Sequence, residues 1–481
     1  MPFSPKDAVD AAWNIINGPR TFERTRLDNI KSALKTNVAD ITVEIPQKAP
    51  DVMRKLAGKA RTNVLPLVLD VFSQSLQVDG YRSGKNPAAD APPWEIWQAN
   101  GLTARQVGVH RTALAYGASY VTVLPGTLEG KPRAVLRGSS PRRMTAVYED
   151  PVNDDYPMMA LHVDGPMVRL YDETSVYYIG IEKIPPRSGL VPDWWYTETP
   201  LTGYKFIERR DHNLGVCPVI RFRDRMLLDG EEVFGIVEPL ISIQQRIDET
   251  MFGLLVAQYF AAFKQRYVIG WIPKDESEKL RASAAEFWAF KDDTVKVGEF
   301  TETDLTRYLD SKDSAIGDMA AIAQIPAQAL GSAKVHNISA EALAALQDGK
   351  DRRSDEFATS LGDSWKRVLQ LAAFAEGDEE SAKDTTAQVH WQDVTARSLA
   401  QTTDALGKMA QMLQIPPRAL WGRIPGVTQT DVEQWIQMAK ESDALGNLTA
   451  LLNQQGELPA GQPPVTQTQT GLNGFIQPGQ A

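Results

Sequence analysis

Apolar residues between positions 236 and 254 recur at steps of three and four: Ile236, Leu240, Ile243, Ile247, Met251 and Leu254. That is the period of a single helix face. The pattern predicts a helix over Val237–Arg266. Pro239 falls in its first turn, where a missing N–H costs nothing, and Lys264 and Arg266 close it at the negative end of the dipole. At ~1.5 Å per residue such a helix reaches roughly 40 Å, well beyond the usual three or four turns. The pattern then shortens to strand-like runs at Tyr267–Ile272, Phe287–Phe290 and Thr294–Val297. A second helix is expected over Thr303–Ala323. It stops before Ile325-Pro326, because a residue preceding proline is pushed out of the helical region. A small-residue loop follows, Pro326–Asn337. A third long helix is capped by Asn337 or Ser339 and carries Leu343, Leu346, Phe357, Leu361, Trp365, Val368, Leu369 and Phe374.

Upstream, residues 5–35 read as two helices. Ala8, Ala11, Trp13, Ile15 and Ile16 belong to the first; Phe22, Leu27, Ile30 and Leu34 space the second. Residues 36–49 read as loop. A helix over 61–77 has Pro66 in its first turn and Val64, Leu67, Val68, Val71, Phe72 and Leu76 on its buried side. Residues 78–82 turn out of it, and SGKNPAADAPP (83–93) reads as a loop. Trp94 and Trp97 lie one turn apart on a short helix stopped at Gly101, and Leu102–Tyr116 is a further helix ended by Gly117. From SYVTVLP (119–125) to residue 225 the pattern is β, broken by Asp-, Gly-, Pro- and Asn-rich turns. After Gly377 come an acidic link, one strand at 387–394, helices at Ala396–Leu413 and Gln429–Ser442, and a final one at Asp443–Asn453. Residues 455–481 are rich in Gln, Gly, Pro and Thr, and have too little apolar surface to offset the cost of ordering. The fold class is therefore α+β.

The chain has 481 residues, 43% hydrophobic and 23% charged, enough to bury a sizeable core. A single cysteine, Cys217, excludes an internal disulfide and fits a reducing compartment. The N-terminal segment lacks the basic-then-apolar order of a secretion signal. No apolar run reaches about 18 residues, so neither a membrane span nor a membrane partner is expected. Net charge is −10. Tight duplex binders carry basic patches that displace counterions, so the overall balance argues against DNA capture.

VEPLISIQQRIDETMFGLLVAQYFAAFKQRYVIG (237–270), NISAEALAAL (337–346) and ARQVGVHRTALAYGASYVTVLPG (104–126) together carry a resemblance. The chain resembles the portal proteins of tailed bacteriophages, of the type found in long-tailed phages of Gram-positive hosts, over about residues 20–440. The resemblance implies an α+β wing over 1–230, a stem helix over 231–265, a small clip insertion over 266–302 and a second stem helix over 303–325. A tunnel loop over 326–337, a long helix and wing return over 338–395, a helical crown over 396–454 and a disordered tail over 455–481 complete it. It further implies a ring of twelve subunits at one capsid vertex, through which double-stranded DNA passes without sequence specificity. The partners implied are the terminase large subunit, a head–tail adaptor, and the major capsid and scaffolding proteins. The location implied is the virion, after assembly in the host bacterial cytoplasm.

Little in the sequence points to catalysis. The five histidines, His110, His162, His212, His336 and His390, are scattered, and no zinc-ligand spacing occurs; neither metal nor cofactor is expected. The phosphate-cradling loop of a packaging ATPase is absent; its nearest approach, Gly126–Lys131, is one residue short. Ser32 and Lys35 form an S-x-x-K without its partner motifs. Glu276, Glu278, Asp292, Asp293, Glu299, Glu302 and Asp304 crowd the insertion and the next helix. A two-metal nuclease needs such carboxylates, but charge runs more often form solvated surface. A shorter connector ring is the other alternative, disfavoured by the length of this chain. In the loop, Gly331, Ser332, Lys334 and His336 are the candidates for facing DNA. In the insertion, Trp271, Trp288 and Phe290 are the candidates for a partner interface.

Overall fold

The structure, a computed structural model, describes residues 2–35, 43–45, 48–165, 167–181, 204–224, 228–229, 234–261, 266–269, 296–299, 304–331, 340–392, 399–424, 427 and 431–441. The chain divides into two compact units, Met1–Thr395 and Ala396–Ala481.

The first unit opens with α1 (Pro5–Ile15), capped by the Ser4 hydroxyl on the Asp7 N–H. A π turn over Ile16–Arg20, bent at Gly18, leads into α2 (Thr21–Leu34). Phe22 and Trp13 do not join the core; Phe22 is 83% exposed. The expected helix over 61–77 is present but shorter, as α4 (Leu65–Ser73), and is preceded by α3 (Asp51–Ala60), which the sequence pattern did not single out. The break between them, residues 61–64, is held by hydrogen bonds from a distant helix, described below. Leu67 faces outward, on the side opposite Val68 and Phe72.

The segment read as turn and loop forms a hairpin, β1 (Val78–Ser83) and β2 (Asn86–Asp90). Gly80 and Pro87 weaken its strand pattern locally. Its third partner, β13 (Gln388–Trp391), comes from some three hundred residues downstream and pairs antiparallel with β1, Tyr81 opposite Val389. α5 (Pro93–Ala99) stacks Trp94 on Trp97 at 5.1 Å. α6 (Leu102–Tyr116) ends at Gly117, whose φ of +87° places it in the left-handed region that favours glycine.

A sheet of order β10-β3-β4 follows, from β3 (Ala118–Leu128), β4 (Lys131–Ser139) and β10 (Val219–Arg223). A second sheet of five antiparallel strands runs β5 (Met144–Val147), β6 (Met159–Asp164), β7 (Met167–Tyr171), β8 (Ser175–Ile181) and β9 (Tyr204–Asp211). Alternation puts Leu161, Val168, Leu170, Tyr177 and Ile179 on one face of it, where they pack against Ala8, Ala12, Ile15 and Ile16 of the N-terminal helical segment.

The predicted stem helix is shorter than its pattern. A 3-10 turn at Glu238–Leu240 leads into α7 (Ile241–Ala261), 21 residues long. Arg266 lies instead in β11 (Arg266–Ile269), which pairs with β12 (Lys296–Glu299), Arg266 opposite Glu299. α8 (Thr306–Ala323) ends at Gln324, whose φ is +58°, before Pro326. The longest helix is α9 (Ala340–Glu376), 37 residues, or about 55 Å. Phe357, Leu361, Trp365, Val368, Leu369 and Ala372 are its fully buried stripe, whereas Phe374 is 42% exposed, on the opposite side. One core joins α4, α6, the β10-β3-β4 sheet, α7, α8 and α9, so the long helices are built into the body. A short α10 (Glu379–Ala382) precedes β13.

The second unit contains α11 (Leu399–Met412), α12 (Pro417–Leu420), a 3-10 turn at Trp421–Arg423 and a helix over 431–441. Gln414, with φ +55°, turns the chain between α11 and α12. Trp421 meets Trp435 edge-on at 6.0 Å. Residues 443–453 and 455–481, read as helix and disordered tail, lie outside the described residues.

Candidate functional site: an anchored helix pair and its loop

α7 and α8 run antiparallel. Arg246 pairs with Asp318 near the end of the pair closest to the body. Further along, a Cβ built on Gly253 would lie 3.0 Å from the Tyr308 ring. Burial follows the same axis. Ile243, Ile247, Ala315, Ile316, Met319, Ala320 and Ala323 reach the core, while Tyr259, Arg307 and Leu309 at the other end are exposed. The pair therefore extends out of the body towards the β11–β12 ladder.

Its root is held by polar groups that the hydrophobic period does not reveal. Gln244 and Asp248 are one turn apart and only 4% and 1% exposed. The Gln244 side chain accepts from the Val64 N–H at 2.9 Å and donates to the Thr62 carbonyl at 2.9 Å. It also donates to Asp248 Oδ1 at 2.9 Å, and the same oxygen accepts from the Thr62 N–H at 3.1 Å. The α3–α4 break thus has its backbone groups satisfied by α7, as burial requires. A second tie lies at the 3-10 turn, where Arg26 reaches Glu238 at 3.0 Å and the Tyr116 carbonyl at 3.3 Å. Just before that turn, Gly235 is pressed against α6: a Cβ there would sit 2.3 Å from the Leu114 carbonyl oxygen.

α9 is fixed in the same manner. Arg353, 7% exposed, meets Asp224 at 3.3 Å and Glu356 at 2.9 Å, and its guanidinium lies 4.6 Å from the centre of the Phe357 ring. Ser360 and Ser364 donate to the carbonyls of Arg223 and Arg221 on β10 at 2.9 and 3.0 Å. Trp365 Nε1 donates to His110 Nε2 at 2.7 Å, and His110 Nδ1 bonds the Leu76 carbonyl at 3.0 Å. The imidazole is thus neutral with its proton on Nδ1, and burial lowers its pKa to about 4.

The loop joining α8 to α9 begins inside the body. Ala327–Leu330 form a 3-10 turn, Ile325 and Leu330 are buried, and Gly331 is exposed with φ +82°. The expected free loop from Pro326 is therefore packed as far as Leu330. Ser332, Lys334 and His336 lie outside the described residues, as do Trp271, Trp288 and Phe290. Of the acidic group, Asp304 caps the Thr306 N–H at 3.0 Å and pairs with Arg307 at 3.5 Å. Glu299 lies in β12, and the others are outside the described residues. Among the described residues no three His, Cys, Asp or Glu side chains converge to hold a metal, and no helix is long and apolar enough to cross a membrane. Cys217 is buried against the Tyr171 carbonyl, and burial pushes its thiol far up, away from the reactive thiolate.

The clamp residues Gln244 and Asp248 did carry a signal in the sequence. Two polar residues spaced i, i+4 beside Ile243 and Ile247 on a buried stripe need internal partners.

These elements define a scaffold: an α+β body that roots a helix pair, a small β ladder and a long helix. The family model for phage portal proteins, SPP1 Gp6-like, matches residues 16–444, and the chain belongs to that family. Curated relatives include the portal protein of Mycobacterium phage L5, 22% identical over 361 residues, 71% of each chain. The portal protein of Mycobacterium phage D29 is 23% identical over 397 residues, 79% of each chain. Among solved structures, a chain from the neck of an empty GTA particle is 12% identical, with a TM-score of 0.42, covering 78% of this chain and 93% of that one. A chain from the neck of the native GTA particle gives 12% and 0.41, with the same coverage.

Proposed function

We propose that this portal-family chain assembles into a closed ring of twelve copies at one capsid vertex and serves as the channel for packaging and ejecting double-stranded DNA. The observation that carries the reading is the rooted antiparallel pair α7–α8, followed in the chain by the long helix α9, in a chain whose family match covers residues 16–444. Closure by a cyclic operation needs each copy to offer a rigid surface to the next. Tyr259 on α7, and Leu309 and Ile322 on α8, are exposed apolar side chains suited to that contact.

In this reading residues 1–230 and 338–395 form the wing, α7 and α8 the stem, and 266–302 the clip. Residues 326–337 are the tunnel loop and 396–454 the crown. The clip, with Trp271, Trp288 and Phe290, docks the terminase large subunit and later the head–tail adaptor; the major capsid and scaffolding proteins meet the rest of the ring. The net charge of −10 per copy disfavours a wall that grips phosphates. The chain acts as a non-enzymatic conduit of the virion, assembled in the host cytoplasm.

Gly331, Ser332, Lys334 and His336 face the duplex, and Lys334 makes transient phosphate contacts. Packaging with Lys334→Ala portal tests this. The expected result is slower translocation with intact rings; unchanged velocity and DNA content would remove Lys334 from the mechanism.

A further inference from the structure

The β10-β3-β4 sheet and the five-stranded sheet touch at one end and part at the other. Where they touch, Tyr120 and Val219 of the β10-β3-β4 sheet, with Cys217, meet Met144, Ala160, Tyr171 and Val176 of the five-stranded sheet in a small apolar cluster. Where they part, a cleft of about 750 Å³ opens between β3–β4 and the inner face of β6–β9. The strand register explains its composition. His162 lies opposite Arg169, and Arg169 opposite Tyr178, so alternation turns all three to the same face.

Four arginines line the cleft, Arg137, Arg143, Arg169 and Arg210, against one carboxylate, Asp164. Even with Glu208, which pairs with Arg210 from beside the cleft, a surplus of two positive charges in a chain of net −10 reverses the local sign. Asp164 pairs with Arg143 at 3.6 Å. Arg210 pairs with Glu208 and lies 4.8 Å from the centre of the Tyr178 ring. Two buried polar atoms in the lining have no hydrogen-bond partner: Nε of Arg169, and Nδ1 of His162, a residue only 8% exposed. Orphaned buried donors and acceptors are rare, and each calls for a missing partner. Thr122, Ser139 and Ser140 add hydroxyls to the wall.

We propose that this cleft is a binding site for a compact, multiply charged phosphate group, held by Arg137, Arg143, Arg169 and Arg210. Guanidinium forks match phosphate oxygens in pairs, which ammonium groups do not. The volume suits one or two phosphate groups with a small organic body, and a duplex about 20 Å across does not fit inside it. An acidic peptide is the weaker candidate, because the wall offers few apolar side chains to take its remaining residues. His162 is held neutral, its pKa lowered to about 4 first by burial and then by Arg169, with Asp164 opposing. An incoming dianion compensates both effects. The site is independent of the channel: it binds or fails to bind whether or not rings translocate DNA.

Calorimetric titration of the full-length protein at low salt, where screening is weak, tests the site. The probes are pyrophosphate, a short single-stranded oligonucleotide and hexaglutamate. Arg137 and Arg210 are exposed, so Arg137→Ala/Arg210→Ala should fold, and an unchanged melting temperature checks this. Saturable binding of pyrophosphate or of the oligonucleotide, weakened at least tenfold in that variant but not in Lys383→Ala, is the expected result. The stronger of the two probes identifies free phosphate or nucleic acid as the source. No binding, binding that the double variant leaves intact, or binding of hexaglutamate alone overturns the proposal.

Discussion

His110 shows how a single side chain sets the position of a helix. It sits on α6, bonds the chain after α4 through Nδ1, and receives α9 through Trp365 at Nε2. Trp97, Phe222 and Trp391 close around this pair. Protonation would put a charge in an apolar pocket and break the bond from Trp365. The folded pKa of about 4 lies below the ordinary 6.5. The contribution is therefore fully present above pH 6.5 and is lost as pH falls towards 4, because the unfolded chain binds the proton first. Between pH 7.5 and 5 this imidazole alone should cost about 2 kcal/mol of stability. Thermal unfolding across that range, with His110→Gln as reference, measures it. The wild-type chain should lose more stability on acidification than the variant, and equal slopes would contradict the assignment. At this scale the sequence was half legible. The period of three and four marks Trp365 as buried, but nothing local says that its N–H has a partner 255 residues away.

At the scale of elements, the helix pair owes its direction to the clamp at its root. Asp248 accepts from both Thr62 and Gln244, and Gln244 spans Thr62 and Val64. Removing the Asp248 carboxylate leaves buried donors unpaired, at about 1–3 kcal/mol for each. Asp248→Ala should destabilise the folded chain by about 2–4 kcal/mol. Gln244→Leu combined with it should cost less than the sum of the two, since the groups share partners. Chemical denaturation of the three variants checks this; strictly additive losses would show that the clamp does not act as a unit. Helices with long apolar stripes were readable from the sequence, and so were their proline and glycine stops. The ends of α7 were not, because the same pattern continues into a turn at 238–240 and a strand at 266–269. The β1–β2 hairpin was missed for a different reason. Its strands gain their stability from β13, and pairing across such a separation leaves no trace in a local window.

For the whole molecule, the order of long helix, small β ladder, helix and long helix was visible in the sequence, and it was this order that carried the family resemblance. The charge reversal between the two sheets was not. Arg137, Arg143, Arg169 and Arg210 are scattered through four segments until strand register gathers them. The proposed ring requires a rigid subunit that closes with copies of itself around an opening wide enough for a double helix. Electron microscopy of the purified full-length protein under capsid-assembly conditions tests that most directly. The prediction is closed rings with a central channel more than about 20 Å across, the width of the duplex, and twelve-fold order in end-on views. A population that stays monomeric, or closes without a central opening, would contradict it.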